Sequence, residues 1–415
     1  MGFLSLLEVA SMPVVQVLLI GTLGAFMATD YLNLLCTETR KSLNKIVFAI
    51  FTPALMFASL SKTVTFQDLI NWWFMFVNVG LIFFFGGLLA WIAIKLLKPR
   101  PHLEGLIMAT CASGNLGNLL LIIIPAICNE DGGPFGDNHE ACSSLGLSYA
   151  SLSMALGGFF IWTYCYQLIK NSALKHKVNP ISNEIAKRPN KDLDGDHNIT
   201  LLLEGGQSEK SDSIIGGENE RVSSEANSSK LEMEKTSTLI SVYEFFKQIL
   251  MELMAPPTFG ALIGFVFGSI PWLRDLLVGK DAPLRVIQDS IKLLGDGTIP
   301  CITLILGGNL VQGLRSSSMR KSTITAVVCI KCIFLPMIGI GVVKVAGILG
   351  FLPADPLYRY VLMIQFVLPP AMNISTMTQL FDIAQEECSV LFLWTYLMAC
   401  VSITVWSTVF IAILS

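Results

Sequence analysis

The sequence predicts an all-α polytopic membrane protein of ten transmembrane helices, built as two inverted five-helix repeats with crossed broken helices at the fourth and ninth positions. Three observations predict it: an apolar composition, ten bilayer-length stretches, and a repeat between the two halves. Hydrophobic residues make up 53% of 415 and charged residues only 14%, where a soluble domain carries about 25% charged. Mean hydropathy is +0.63. Of 28 basic and 31 acidic residues, ten and twelve fall between Lys170 and Ile240, so two apolar blocks flank one polar insert. The net charge of −3 gives no basic face for nucleic acid.

A spanning helix needs about 20 mainly apolar residues. The stretches 12–31, 43–61, 70–97, 103–128, 143–169, 242–273, 285–312, 322–350, 357–380 and 388–414 meet that length. Backbone groups in lipid need internal partners, so each is expected to be helical. The expected organisation is a first repeat over 1–169, a cytosolic and mostly disordered loop over 170–240, and a second repeat over 241–415. Basic residues in the short loops set the orientation. Arg40, Lys41, Lys45, Lys95, Lys98, Arg100, Arg315, Arg320 and Lys321 lie on one side. Only Lys62, Arg274, Lys280, Arg285 and Arg359 lie on the other. The first side is read as cytosolic, which puts the long loop in the cytosol and both termini across the membrane.

The halves match locally at a shift of about 250 residues, in a common order. Lys45 and Pro53 fall opposite Lys292 and Pro300, Met108 and Asn118 opposite Met363 and Asn373, and Cys142-Ser opposite Cys388-Ser. An odd number of helices per half inverts the second half relative to the first, as in secondary transporters.

The fourth and ninth stretches carry the candidate site. Ser113-Gly114-Asn115-Leu116-Gly117-Asn118 interrupts the one, and Pro369-Pro370-Ala371-Met372-Asn373 the other. Consecutive prolines remove two amide donors and disfavour helix before them, and such breaks at membrane depth are tolerated where they are buried in protein or line a cavity. Paired breaks let half-helix N-termini face an anion. Asparagine donates to a carboxylate without the desolvation cost of a buried cation. Asn115, Asn118 and Asn373 are thus candidate ligands, with Ser113, Gly114, Pro369 and Pro370 shaping the crossing. Simple helix packing by Gly and Asn is the competing reading.

Pro53 and Pro300 read as kinks beside the crossing, able to shape its walls. Lys292 and Asp296, four apart, share a helix face and read as an ion pair ahead of a coupling site for protons or ions. Lys331 and Lys344 lie in the eighth stretch. No metal site, nucleophilic triad, phosphate loop or cofactor motif is evident, so an enzyme is not expected. Cys128 and Cys142 bracket a short polar loop and read equally as a disulfide in an oxidising lumen or as free thiols. The long loop is rich in serine, offering sites to a kinase, and its sequons at Asn198 and Asn227 would be cytosolic. The number of subunits is open, a homodimer included.

The runs FTPALMFASLSK at 51–62, GNLGNL at 114–119, VLPPAMN at 367–373 and VSITVWSTVF at 401–410 together resemble the plant PIN-LIKES family, relatives of the PIN auxin efflux carriers. The resemblance covers both apolar blocks. It implies a transporter domain and a scaffold domain, an auxin such as indole-3-acetic acid as substrate, and residence in the endoplasmic reticulum membrane. It also implies Asn115 as the carboxylate-binding amide, with Asn118 beside it and Pro369, Pro370 and Asn373 opposite. Gly114 stands where PIN proteins carry proline. IWTY at 161–164 is similar to the aromatic stretch of the PIN fifth helix, which puts Tyr164 or Trp162 against the indole, although interface anchoring suits either. Carriage of another organic anion is the alternative within transport; a membrane receptor or scaffold is the alternative outside it.

Overall fold

The computed structural model describes residues 3–63, 65–129, 135, 138–187, 255–279, 282–316 and 319–414. Met1–His176 and Glu252–Ser415 form one compact unit, to which the following applies. All regular structure among the described residues is helical. In chain order the helices are α1 (Phe3–Met27), α2 (Thr37–Ile46), α3 (Thr52–Thr63), α4 (Phe66–Asn71), α5 (Trp73–Leu97), α6 (Pro101–Ala112), α7 (Asn118–Cys128), α8 (His139–Phe160) and α9 (Tyr166–Lys187). The second block adds α10 (Pro256–Ser269), α11 (Pro271–Leu277), α12 (Arg285–Asp296), α13 (Thr298–Ser316), α14 (Lys321–Cys329), α15 (Leu335–Ile348), α16 (Pro356–Ile364), α17 (Asn373–Leu380) and α18 (Gln385–Leu414).

Three π-helical turns, Val47–Phe51, Ile161–Cys165 and Ile330–Phe334, join α2 to α3, α8 to α9 and α14 to α15 into continuous rods. Six helices or rods are long and apolar enough to cross a membrane: Thr37–Lys62, Trp73–Leu97, His139–His176, Arg285–Val311, Lys321–Ile348 and Gln385–Leu414. The outer surface is apolar too. Leu96, Val286, Leu293 and Ile348 are each at least 75% exposed, a surface that suits lipid far better than water.

The structure redraws several expected boundaries. The stretches 103–128 and 357–380 are each two helices, because Ser113–Gly117 and Gln365–Met372 leave the helical path. The described part of the sixth stretch bends by 106° between α10 and α11; Pro271 starts the second helix and pushes the preceding Ile270 into extended backbone. The fifth rod does not stop at 169, since α9 continues to Lys187. Its continuation, NSALKHK, is polar but rich in helix formers. Hydropathy marks where lipid ends, not where a helix ends. The remainder of the long loop, with Asn198, Asn227 and its serines, lies outside the described residues.

The centre of the unit is formed by the broken helices. Every residue from Tyr360 to Met372 is buried. Tyr360 donates to Ser407 Oγ at 2.9 Å, and Tyr149 donates to Asp355 Oδ2 at 2.7 Å, so the phenols that packing buries keep partners. Cys128 and Cys142 are disulfide-bonded with Cα atoms 5.6 Å apart, tying the end of α7 to the start of α8.

α1 packs on α13 through glycines. A Cβ on Gly24 would meet the backbone of Leu304, and one on Gly307 would meet the carbonyl of Gly21. Backbone stands against backbone there, as small residues permit between membrane helices. Gly307→Val is therefore expected to destabilise the folded protein by about 1–3 kcal/mol, read as a lower thermal midpoint in detergent. Gly341, with nothing within 4 Å of its Cβ position, gives the control: Gly341→Val should leave the midpoint nearly unchanged.

Candidate functional site

The site is a crossing of two interrupted helices. α6 ends at Ala112 and the chain turns extended at Ser113, with φ −84° and ψ 150°. It resumes as α7 at Asn118. The other chain leaves α16 after Ile364 and resumes as α17 at Asn373. Asn118 and Asn373, paired by the repeat, occupy the same place: the first residue of the second half-helix.

One backbone hydrogen bond ties the breaks together, Asn115 N–H donating to the Pro369 carbonyl at 2.8 Å. No reciprocal bond from position 370 exists, because proline has no N–H. Ser113 Oγ instead accepts the Ala371 N–H at 3.4 Å. The Asn115 side chain, 6% exposed, donates through Nδ2 to the Tyr396 hydroxyl at 3.0 Å. Tyr396 in turn donates to the Pro370 carbonyl at 2.9 Å. A short chain of bonds thus runs from one break through α18 to the other.

Neighbouring rods brace the half-helices. Asn44 Nδ2 donates to the Thr376 carbonyl in α17 at 3.0 Å. Asn78 Nδ2, on α5, donates to the Leu362 carbonyl at 3.0 Å and to Gln365 Oε1 at 2.8 Å. Gln365 Nε2 passes on to Ser153 Oγ at 2.6 Å. On the other side Lys331, in the π turn between α14 and α15, donates to the Ser113 carbonyl at 2.5 Å. Lys331 is 2% exposed. π turns in membrane rods commonly mark functional positions, and the turn at Ile161–Cys165 also faces the crossing, through Ile161.

A cavity opens beside the crossing, with a water-accessible volume of about 40 Å³. Gly114, Asn115, Gly117, Ala371, Met372 and Asn373 contribute from the breaks, and Met56, Met154, Gly157, Gly158, Ile161 and Thr298 from the surrounding rods. Its lining contains no acidic or basic side chain. α7 and α17 begin at the crossing and α6 and α16 end there, so positive and negative helix ends meet at one place. Its wall combines the Asn115 and Asn373 residues with apolar side chains and glycine backbone.

The structure thus gathers Ser113, Gly114, Asn115, Asn373, Pro369 and Pro370 at one place. Asn118 is beside them by its backbone; its side chain lies outside the described residues. Pro53 and Pro300 are not in the lining but adjoin residues that are, Leu55 and Met56 on one rod and Thr298, Ile299 and Ile302 on the other. Pro53 also carries the backbone contact with Gly260. Lys292 and Asp296 pair at 2.6 Å on an open face, 55% and 52% exposed, away from the cavity. Tyr164 is 37% exposed and turns to Phe83, with ring centroids 6.2 Å apart. Trp162 is buried against Phe48, 5.4 Å between ring centroids, so it is a core residue and not an interface anchor.

Tyr396 and Lys331 are the residues that sequence reasoning missed in this role. A charge in the middle of the eighth stretch was a visible signal for Lys331, but nothing in the sequence gave its partner. Tyr396 had only the weak signal of a phenol inside an apolar helix.

The sequence matches the family described as membrane transport protein over residues 9–407. It is 60% identical to protein PIN-LIKES 7 and 56% identical to protein PIN-LIKES 5 of Arabidopsis thaliana, in each case over the whole of both chains. Protein PIN-LIKES 6 of the same plant is 31% identical, covering 99% of this chain and 94% of its own.

Tyr396→Phe removes one acceptor from Asn115 and one donor from Pro370. The expected loss is about 1–3 kcal/mol of stability, measured by thermal unfolding in detergent. Tyr396→Ala also removes the buried ring and should cost more. An unchanged midpoint in Tyr396→Phe would mean that the bridge does not hold the crossing.

Proposed function

The chain belongs to the membrane transport protein family together with the PIN-LIKES proteins, and from that membership we propose that it carries a small organic anion across a membrane by alternating access at the crossing. The observation that carries this reading is the pairing of Asn115 with Pro369 and Tyr396 beside an acid-free cavity flanked by two helix N-termini. A receptor or scaffold has no need of broken helices around a cavity. The chain is not an enzyme.

In this reading the fold is ten spans in two inverted repeats, 1–169 and 241–415, joined by the loop 170–240. The six long rods, α1, α10 and the two broken helices together supply ten. Support for the inversion comes from Asn118 and Asn373 starting equivalent half-helices, and from α5 and the eighth rod each bracing the break in the opposite half.

The substrate proposed is an auxin, indole-3-acetate, as the family resemblance implies. The carboxylate would sit at Asn115 and Asn373, and the ring against Met56, Met154 and Ile161. A cavity of about 40 Å³ admits only water, whereas ligand pockets usually measure about 300–1,000 Å³, so this geometry corresponds to a closed state that must widen to load. The membrane proposed is that of the endoplasmic reticulum. The bond between Cys128 and Cys142 favours an oxidising compartment at that end of the rods. One crossing by α8 and α9 then puts the long loop, with its serines for a kinase, in the cytosol and both termini in the lumen. Assembly as a homodimer is compatible with this arrangement.

Purified protein in proteoliposomes should move radiolabelled indole-3-acetate faster than empty vesicles. Asn115→Ala should reduce that rate on the order of 10–100-fold, as loss of a hydrogen bond to a charged group implies, while staying monodisperse. Wild-type vesicles that match empty ones sink the substrate; a folded Asn115→Ala that transports normally sinks the site. For sidedness, protease added to sealed microsomes should cut the long loop, and protection of the loop would reverse the orientation.

A further inference from the structure

Four half-helix ends meet at the crossing. α7 and α17 begin there, while α6 and α16 end there. Each end carries about half an elementary charge, positive at an N-terminus and negative at a C-terminus. Two of each sign cancel to first order, so the helix ends alone leave the site nearly neutral.

The two carbonyl ends are capped differently. That of α16 is held by neutral amides, Asn78 on the Leu362 carbonyl and on Gln365. That of α6 is held by an ammonium, Lys331 on the Ser113 carbonyl, immediately before Gly114 and Asn115 in the cavity wall. Lys331 lies ten residues inside a rod that begins at Lys321, about 15 Å along its axis. That depth puts it well inside the bilayer. The ionisable side chains acting on it are the thiols of Cys111, Cys165 and Cys332. No carboxylate pairs with it among the described residues, and none lines the cavity. The crossing therefore carries close to one uncompensated positive charge at a depth where a lone charge is costly.

We propose that Lys331 sets the charge of the substrate: the site takes a monoanion, whose single negative charge completes the balance, and rejects neutral and dianionic analogues. This rests on the crossing being the substrate site. Lys331 acts as a positioning residue through Ser113, since it is absent from the cavity lining. It holds the carbonyl end of α6 away from the anion and leaves its own charge to oppose the ligand's. The Asn78 cap on the other half is neutral, so the balance calls for one negative charge and not two.

The test is competition against radiolabelled indole-3-acetate in proteoliposomes by three probes: unlabelled indole-3-acetate, indole-3-acetamide, and a dianionic indole dicarboxylate. Wild-type protein should prefer the monoanion over both others by about tenfold or more, the scale of one semi-buried charge interaction. Lys331→Gln keeps a donor for the Ser113 carbonyl without the charge, and Lys331→Met keeps neither. Lys331→Gln leaves the Ser113 carbonyl capped and should remain monodisperse; Lys331→Met leaves it bare and is compared where it too is monodisperse. Both should raise half-saturation for indole-3-acetate about tenfold or more and erase its advantage over the amide. Lys331→Arg should retain the preference. A Gln variant with wild-type half-saturation and charge preference would reduce Lys331 to a hydrogen-bonding cap and overturn the inference. So would a wild type that takes the dianion as well as the monoanion, a result that needs no variant. A wild type that moves no indole-3-acetate at all instead overturns the proposed substrate, and the inference with it.

Discussion

The structure depends on one constraint: two helices are interrupted inside the buried centre of the protein, and every backbone group freed by the interruption needs a partner. Three devices meet it. The Asn115 amide reaches across to Pro369, Tyr396 links the Asn115 side chain to the Pro370 carbonyl, and Lys331 takes the Ser113 carbonyl. The prolines reduce the demand, since each removes a donor that would otherwise stand unpaired. Neighbouring rods are arranged around these contacts. Asn44, Asn78 and Ser153 each turn a polar group inward, and each meets a half-helix or its break.

The same economy explains why the cavity is amide-lined. Backbone N–H groups at the start of α7 and α17 are obligatory consequences of restarting a helix. A protein that breaks two helices at the same depth gathers, beside the carbonyl ends of α6 and α16, two donor ends at one place. An acidic residue in that wall would oppose those ends, and the lining has none. Glycine does the rest. Gly117 and Gly157 stand so close to Met154 and Leu116 that a Cβ on either would collide, so the walls meet in this geometry. Opening the cavity has to separate Met154 from Gly117, which makes the relative movement of α8 and the break the natural opening coordinate.

The breaks were legible in the sequence because glycine and proline are punctuation: their backbone restrictions hold wherever they stand. The asparagines were legible because a repeat put Asn118 opposite Asn373. The ends of the rods were less so. α9 runs on to Lys187 through polar residues that a hydropathy window reads as loop, and α10 turns into α11 at a proline that the same window averages away. Tyr396 and Lys331 could not be assigned from sequence for a different reason. Their partners lie 281 and 218 residues away, and two of the groups they serve are backbone carbonyls, of Pro370 and Ser113. A carbonyl is the same in every residue, so no letter marks it as the one left open by a break.

The two broken helices are alike in plan and differ in detail. Both halves break a helix, restart it with asparagine, and brace the first half-helix from a rod of the other half. Yet the break of one half is Ser-Gly-Asn and that of the other Leu-Pro-Pro, and one brace is an amide while the other is an ammonium. A symmetric pair of prolines would have left Asn115 without its N–H for the Pro369 carbonyl. An asparagine at position 370 would have added a further donor, while the Gly114 carbonyl already accepts the Leu116 N–H at 2.9 Å. The two halves divide the bonding at the crossing unequally: the first break donates a backbone N–H to a backbone carbonyl, Asn115 to Pro369, while the second returns its Ala371 N–H to a side chain, Ser113 Oγ. That division leaves a single side-chain amide of the first break, Asn115, both buried and facing the cavity.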